Sequence, residues 1–384
     1  MKHLNSQSVL GILGSGQLAR MTTLAASDFG ILSHIYCNEK NHETLSPASL
    51  VAANTTRGSF NDLEKILDFC QSCDIVTLEN EFIDQNILEA IDQKFPGKLF
   101  PNSKTFKKIG DKISEKKSFR EAGLNVVPSA EVKSIDDVLI FCNKHGYPAV
   151  LKSSKGGYDG YGNITLKSED SVRENFSKLK GDLLIEAFIN YKMEVATMVA
   201  RNSNGEMVVY PVAHTIQENH ICHYVSAPAE ISVQLEEKII HAAKKAMESI
   251  EAVGIFAFEF FIDHNSEIYL NESAPRPHNS GHYSLEGCET SQFHNHVRSV
   301  FNLPLGSTKL NSPQVMMLNL LGTQNKIAKL SPIKDFMQVP RSYLHLYGKK
   351  ESKIGRKMGH YTLLGDDKKK MFEQLQSLKS EYTL

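Results

Sequence analysis

Tryptophan is absent from this chain of 384 residues, cysteine occurs six times, and the charges nearly cancel, with 43 Lys and Arg against 44 Asp and Glu. Each shortage excludes something. Without an excess of either sign there is no global field to recruit nucleic acid or a membrane surface, so any basic site has to be local. Cys37, Cys70, Cys73, Cys142, Cys222 and Cys288 are too scattered for a disulfide framework. Cys70 and Cys73 form a CxxC with no second pair to complete a zinc site, so packing thiols are expected there. Long apolar runs are missing too: "VLGIL" and "GIFAF" fall well short of the roughly 20 residues that cross a bilayer. The polar start "MKHLNSQS" leads into a strand rather than a signal-peptide core, and a cytoplasmic protein is expected.

What is present is ordinary for a globular protein, 41% hydrophobic and 23% charged, at a length that calls for two or three domains. The first hundred residues alternate between strands ("VLGIL", "SHIYC", "DIVTLE") and helices, which predicts a parallel sheet covered by helices. The turn-rich "FPGKLFPNSKT" marks a boundary near Pro101. A single charged helix, "TFKKIGDKISEKKSFREAG", is expected next, then a strand-rich section in which "VGIFAFEFFID" and "EIYLNE" form a hairpin. From about His296 a mixed section ends in the helix "DDKKKMFEQLQSL". No internal repeat or low-complexity linker interrupts this order.

Three places carry chemistry. In "VLGILGSGQLARM" an apolar run meets Gly14-Ser15-Gly16 just before a helix starting at Gln17, a geometry suited to a phosphate at a helix N-terminus. Gly14, Gly16, Ala19 and the later Glu39 equally fit the fingerprint of a nicotinamide-dependent oxidoreductase, and the turn alone does not choose. Glu259 and Glu272 are carboxylates set into apolar strands, costly unless compensated. With Asn271 beside them they make an oxygen-rich site suited to Mg²⁺ shared with nucleotide phosphates. Lys152 ends the apolar strand of "VLKSSKGGYDGYGN", where the glycines of the following loop would let backbone amides approach a polyphosphate. Glu186 in "LIEAFI" stands at a strand end suited to a purine and ribose.

Together these pieces resemble the ATP-grasp fold. "GILGSGQLARM", "LKSSKGGYDGYGN", "LNESAPRPHNSGH" and "LYGKKESKIGRKMGH" stand in the order and spacing of the N5-carboxyaminoimidazole ribonucleotide synthetase family, over nearly the whole chain. The resemblance implies an α/β architecture in three parts: a Rossmann-like preATP-grasp domain over residues 1–100, a two-lobed ATP-grasp domain over 101–295 and a small C-terminal domain over 296–384. It implies ATP and Mg²⁺, two ions, as cofactors, aminoimidazole ribonucleotide and bicarbonate as substrates, and a homodimer. Gly14, Ser15, Gly16, Gln17, Leu18 and Glu79 would face the ribonucleotide, closed over by Lys349, Arg356 and Lys357. ATP would meet Lys112, Lys152, the loop Gly157, Tyr158, Asp159, Gly160, Tyr161, Gly162 and Asn163, then Glu186, Ala187, Phe188, Ile189, Glu194, Gln217, Asn271 and Glu272. Glu259 and Glu272 would hold the metal, while Arg276, His278 and Asn279 would serve bicarbonate, with Lys152 as the fourth catalytic group.

Several positions depart from the family pattern: Gln217 replaces a common histidine, Lys112 a common arginine, and "LENEF" the more familiar "YEFEN". His220, Cys222 and His223 lie in a polar loop with no fourth metal ligand. A formate-dependent glycinamide ribonucleotide transformylase shares the turn and the acid pair and is the nearest alternative. An ATP-binding regulatory module without turnover is a further one, which the intact acid pair argues against.

Overall fold

The computed structural model describes residues 7–38, 45–156 and 162–384. Its N-terminal sheet has five parallel strands, β1 (Val9–Leu13), β2 (Leu32–Asn38), β3 (Asn54–Gly58), β4 (Ile75–Leu78) and β5 (Leu99–Phe100), in the order β3-β2-β1-β4-β5. Helices α1 (Gln17–Ser27), α2 (Leu63–Gln71) and α3 (Gln85–Lys94) cover it. The order reverses between β1 and β4, so the crevice that open parallel sheets use for ligands opens at the ends of these two strands. Gly14 follows β1 and Glu79 follows β4. Edge strands β3 and β5 are not evident in the sequence, because "NTTRG" is polar throughout and "LF" is two residues long.

The charged stretch read as one helix is two, α4 (Ser103–Ile109) and α5 (Lys112–Glu121). Gly110 ends the first, and Asp111 caps the second by accepting the Ser114 N–H at 2.9 Å. The small lobe follows as a four-stranded antiparallel sheet ordered β6-β9-β7-β8, from β6 (Ser129–Val132), β7 (Ala149–Ser153), β8 (Asn163–Leu166) and β9 (Leu183–Ala187), with α6 (Ile135–His145) and α7 (Glu169–Asn175) against it. Lys152 pairs with Asn163 across the antiparallel strands β7 and β8.

A larger antiparallel sheet carries β10 (Tyr191–Arg201), β11 (Met207–Val209), β12 (Ala213–Glu218), β13 (Ile221–Ala227), β14 (Gly254–Asp263) and β15 (Ile268–Ala274), with α8 (Val233–Ser249) packed on it. After α9 (Ser284–Gly287) and α10 (Gln292–Val300), the C-terminal strands β16 (Gln314–Leu321), β17 (Ser342–Leu346) and β18 (Lys357–Gly365) join the same sheet through β13, Tyr224 opposite Leu318. Helices α11 (Ile333–Met337) and α12 (Lys368–Glu381) complete the chain. The path runs β15-β14-β10-β12-β13-β16-β18-β17, so the C-terminal section has no sheet of its own. None of the six cysteines forms a disulfide, and burial pushes Cys70 and Cys73 up to about 12 and 11, far from a reactive thiol.

The N-terminal sheet is tied to the large one by shared core: Leu10, Ile12 and Leu18 pack with Phe293, Val297 and Val300 of α10. His296 on the same helix is buried, accepts the Ile255 N–H on Nδ1 at 3.2 Å, and therefore donates from Nε2 to Thr77 Oγ1 at 2.9 Å. Burial lowers its pKa from 6.5 to about 4. The native state thus takes up this proton only near pH 4 while the unfolded chain takes it up near 6.5, so stability falls as pH drops through that window. Chemical denaturation at pH 7 and 4 should show His296→Asn losing on the order of 2–3 kcal/mol less than the parent over this range.

Candidate active site

At the crevice of the N-terminal sheet, Glu79 already fills the glycine turn. Its carboxylate accepts the N–H groups of Gly16 and, at 3.2 Å, Leu18, the orphan donors of α1. A Cβ on Gly14 would lie 2.4 Å from Glu79 Cβ, and one on Gly16 would lie 2.3 Å from Glu79 Oε1. Gly14 also holds φ at +130°. Burial pushes the Glu79 pKa up, opposed by the helix-end amides and by Lys349. The turn is therefore not an open cradle for a pyrophosphate, and Glu39 of the dinucleotide alternative lies outside the described residues. Gly14→Ala should lower stability by about 1–3 kcal/mol through strain and overlap, read as a lower melting temperature.

From the other side come residues of the C-terminal section. Lys349 donates to the carbonyl of Lys357 and stands near Glu79; burial and neighbouring Arg356 lower its pKa to about 7, with Glu79 opposing. Arg356 donates to the Glu351 carbonyl at 3.0 Å. Ser15 accepts the Ala48 N–H at 3.1 Å, which anchors the turn to the following segment. The glycine turn, Glu79 and the basic stretch thus converge although 270 residues separate Glu79 from Lys349 in the sequence, and the turn lies further off still.

Arg276, just beyond β15, reaches across to the N-terminal domain. Its guanidinium donates twice to Glu81, Nε to Oε2 at 2.7 Å and Nη2 to Oε1 at 3.0 Å, the bidentate arrangement that fixes orientation as well as charge. His278 lies 3.7 Å by Nε2 from Glu259 Oε1 and shares a 2.8 Å hydrogen bond with Ser280 Oγ. Burial, then Arg276 and Lys357, hold this imidazole well below its ordinary pKa, so it is neutral. Asn279 exchanges amide hydrogen bonds with Asn319 of β16 at 2.8 and 2.7 Å.

The acid pair sits on facing strands, Glu259 of β14 directly opposite Glu272 of β15, with a register shift just after Glu259. Glu272 is 43% exposed at its side chain, and Lys112 meets its Oε2 at 3.1 Å. Burial raises the Glu259 pKa well above normal, reinforced by Glu194 and Glu272; in Glu272 burial acts the same way, but Lys112 and Lys152 outweigh it and lower the pKa. Glu194 on β10 accepts from Gln217 Nε2 at 3.0 Å, so Gln217 serves as an amide donor where a histidine is common. The Asn271 side-chain oxygen is buried and lacks a hydrogen-bond partner. Among the described residues no three His, Cys, Asp or Glu side chains form a closed metal cage. Two carboxylates and an orphan amide oxygen instead suit Mg²⁺ completed by phosphate oxygens.

On the small lobe, Lys152 ion-pairs with Glu186, near the end of β9, where a short connection through Phe188 and Ile189 leads into β10. Burial would raise the Glu186 pKa, but Lys116 and Lys152 hold it down at about 2. Gly162 and Asn163 lie at the start of β8; Gly157, Tyr158, Asp159, Gly160 and Tyr161 fall outside the described residues. Sequence reasoning missed Glu115 and Lys116, both buried, and the pairing of Glu81 with Arg276. Burial, then Glu272, raises Glu115 to about 7 against Lys116 and Lys112. The available signal was the spacing of Lys112, Glu115 and Lys116, which puts all three on one helix face.

A lysine on a strand before a glycine-rich segment, and paired acids on adjacent strands of the larger sheet, define an ATP-grasp enzyme. Domain descriptions match accordingly: a ribonucleotide synthetase preATP-grasp domain over residues 7–109, an ATP-grasp domain over 117–293, and a phosphoribosylaminoimidazole carboxylase C-terminal domain over 315–374. The chain is 36% identical to the N5-carboxyaminoimidazole ribonucleotide synthase of Bacillus subtilis over 93% of its own length and 91% of the relative's. The synthetase from Thermotoga maritima superposes with a TM-score of 0.88 at 34% identity, covering 98% of this chain and 99% of that one. The Aspergillus clavatus synthase, solved with ADP and 5-aminoimidazole ribonucleotide, gives 0.88 at 30% identity and 98% coverage of both. The chain belongs to the N5-carboxyaminoimidazole ribonucleotide synthetase family.

Proposed function

We propose that this chain carboxylates 5-aminoimidazole ribonucleotide on its exocyclic amine with bicarbonate, converting ATP to ADP and phosphate. The observation that carries this reading is the segment from Arg276 to His278, which bridges two half-sites. Arg276 is paired to Glu81 beside the glycine turn, and His278 stands 3.7 Å from Glu259 of the acid pair. A phosphorylated small molecule made at the acid pair would thereby lie next to a ribonucleotide held at Gly14–Leu18, Glu79, Lys349, Arg356 and Lys357. Glu79 would accept ribose hydroxyls there, and the basic stretch would hold the phosphate.

Bicarbonate is a poor electrophile, so its oxygen first takes the γ-phosphoryl group, forming carboxyphosphate and ADP. The substrate amine then attacks the carboxyl carbon of carboxyphosphate, or CO₂ released from it, and the N5-carbamate and phosphate result. Lys152 and Lys112 would neutralise charge on phosphate oxygens, and Arg276 with Asn279 would orient bicarbonate. His278, held neutral by burial and its cationic neighbours, would offer bicarbonate an uncharged polar group rather than a base. Glu259, Glu272 and Asn271 would hold Mg²⁺, which supplies charge neutralisation for the phosphates when bound. Because carboxyphosphate hydrolyses readily, the site has to exclude water during turnover. A cytoplasmic location and a homodimer belong to the same proposal and rest on family membership.

Oxygen labelling tests the chemistry directly. With ¹⁸O-bicarbonate the released phosphate should carry one heavy oxygen per turnover, since the bicarbonate oxygen that attacks phosphorus leaves with it. Unlabelled phosphate would rule out the carboxyphosphate step.

A further inference from the structure

Lys116 is buried beneath the nucleotide half of the site. Its ammonium lies 3.2 Å from Glu186 Oε1, with side chains only 4% and 3% exposed, and it also donates to the Asn271 carbonyl. Lys152 occupies the other oxygen of the same carboxylate. One carboxylate thus holds two lysines, and only Lys152 stands on the strand that leads into the glycine-rich segment.

We propose that Lys116 is a positioning residue for nucleotide binding: it keeps Glu186 paired, so that Lys152 is free to leave that carboxylate for the phosphates of ATP. This rests on the reading of Lys152 as a phosphate ligand given above. The Lys152 ammonium has three donors, but a phosphate draws it away from its close contact with Glu186, so the two anions compete for it. A buried carboxylate deserted by its sole cation is strongly disfavoured, enough to hold Lys152 back. With Lys116 in place the desertion leaves an intact buried pair. The neighbouring contacts give this arrangement its rigidity. Glu115 accepts the Ser273 N–H at 2.6 Å and the Ser273 hydroxyl, and Lys112 meets Glu272. Three residues on one face of α5 therefore grip Asn271, Glu272 and Ser273 in succession, and Lys116 extends that grip to β9 on the opposite lobe.

The test compares the full-length parent with Lys116→Met, Glu186→Gln and the double variant, using calorimetric binding of Mg·ADP together with steady-state KM values. Lys116→Met should weaken Mg·ADP binding and raise KM for ATP by about tenfold or more, while KM for the ribonucleotide stays within about twofold. In the double variant the neutral glutamine no longer retains Lys152, so binding should return to within roughly threefold of Glu186→Gln alone. Unchanged nucleotide binding in folded Lys116→Met would overturn the proposal. So would a double variant as weak as Lys116→Met, because the loss would then come from a displaced Asn271 strand. If Lys116→Met does not fold, the double variant measured against Glu186→Gln decides: parity supports the proposal, and a tenfold deficit overturns it. A parent protein that fails to bind Mg·ADP would instead overturn the reading of the nucleotide site itself.

Discussion

Glu272→Gln should lower kcat by about 10²–10³-fold while leaving the protein folded. The substitution keeps the shape of the side chain and removes one negative charge from the pair facing Glu259. Mg²⁺ holds on through charge, and a neutral amide is a poor replacement for a carboxylate at a hard cation. Lys112 also loses its 3.1 Å partner, yet Glu115 still faces it, and Glu272 is exposed enough that the lost ion pair costs about 1 kcal/mol or less. A melting temperature within a few degrees of the parent together with a collapse of ADP release is the expected combination. Normal turnover in this variant would remove Glu272 from the metal site.

Lys152→Met should have an effect of similar size, about 10²–10³-fold in kcat/KM for ATP, because a fixed cation aimed at the transferring phosphoryl group is lost. Folding should survive for a specific reason: Glu186, which is buried, keeps Lys116 as its partner at 3.2 Å. Burial of the carboxylate would otherwise make removal of either cation severely destabilising. Kinetics at saturating bicarbonate and ribonucleotide, with the denaturation midpoint measured alongside, separate the two effects. An unchanged kcat/KM for ATP would place the phosphates elsewhere.

Much of this site could be read along the chain because its chemistry is locally conspicuous. Glu259 and Glu272 interrupt apolar strands, Lys152 ends one, and Gly14 and Gly16 punctuate a strand-to-helix turn. What local pattern could not supply was partnership. "GDKISEKKSFREAG" has the look of a solvated charged helix, and only the fold brings Lys116 to Asn271, 155 residues away, or Glu81 to Arg276, 195 residues away. The glycine turn gave a related difficulty: its spacing suits a phosphate, and nothing nearby shows that Glu79 arrives from another strand to take the amides. Strands such as Asn54–Gly58 escaped notice because an edge position lets a polar sequence pair with one neighbour. The joining of β16 to β13 depends on long-range register that hydrophobic alternation does not encode.

The most direct measurement is ADP release by the purified chain with Mg·ATP and bicarbonate, in the presence and absence of 5-aminoimidazole ribonucleotide. The expected result is a strong dependence on the ribonucleotide, with one ADP formed for each N5-carbamate. ADP release indifferent to 5-aminoimidazole ribonucleotide but stimulated by glycinamide ribonucleotide with formate would contradict the proposed acceptor and leave only the ATP-grasp assignment standing.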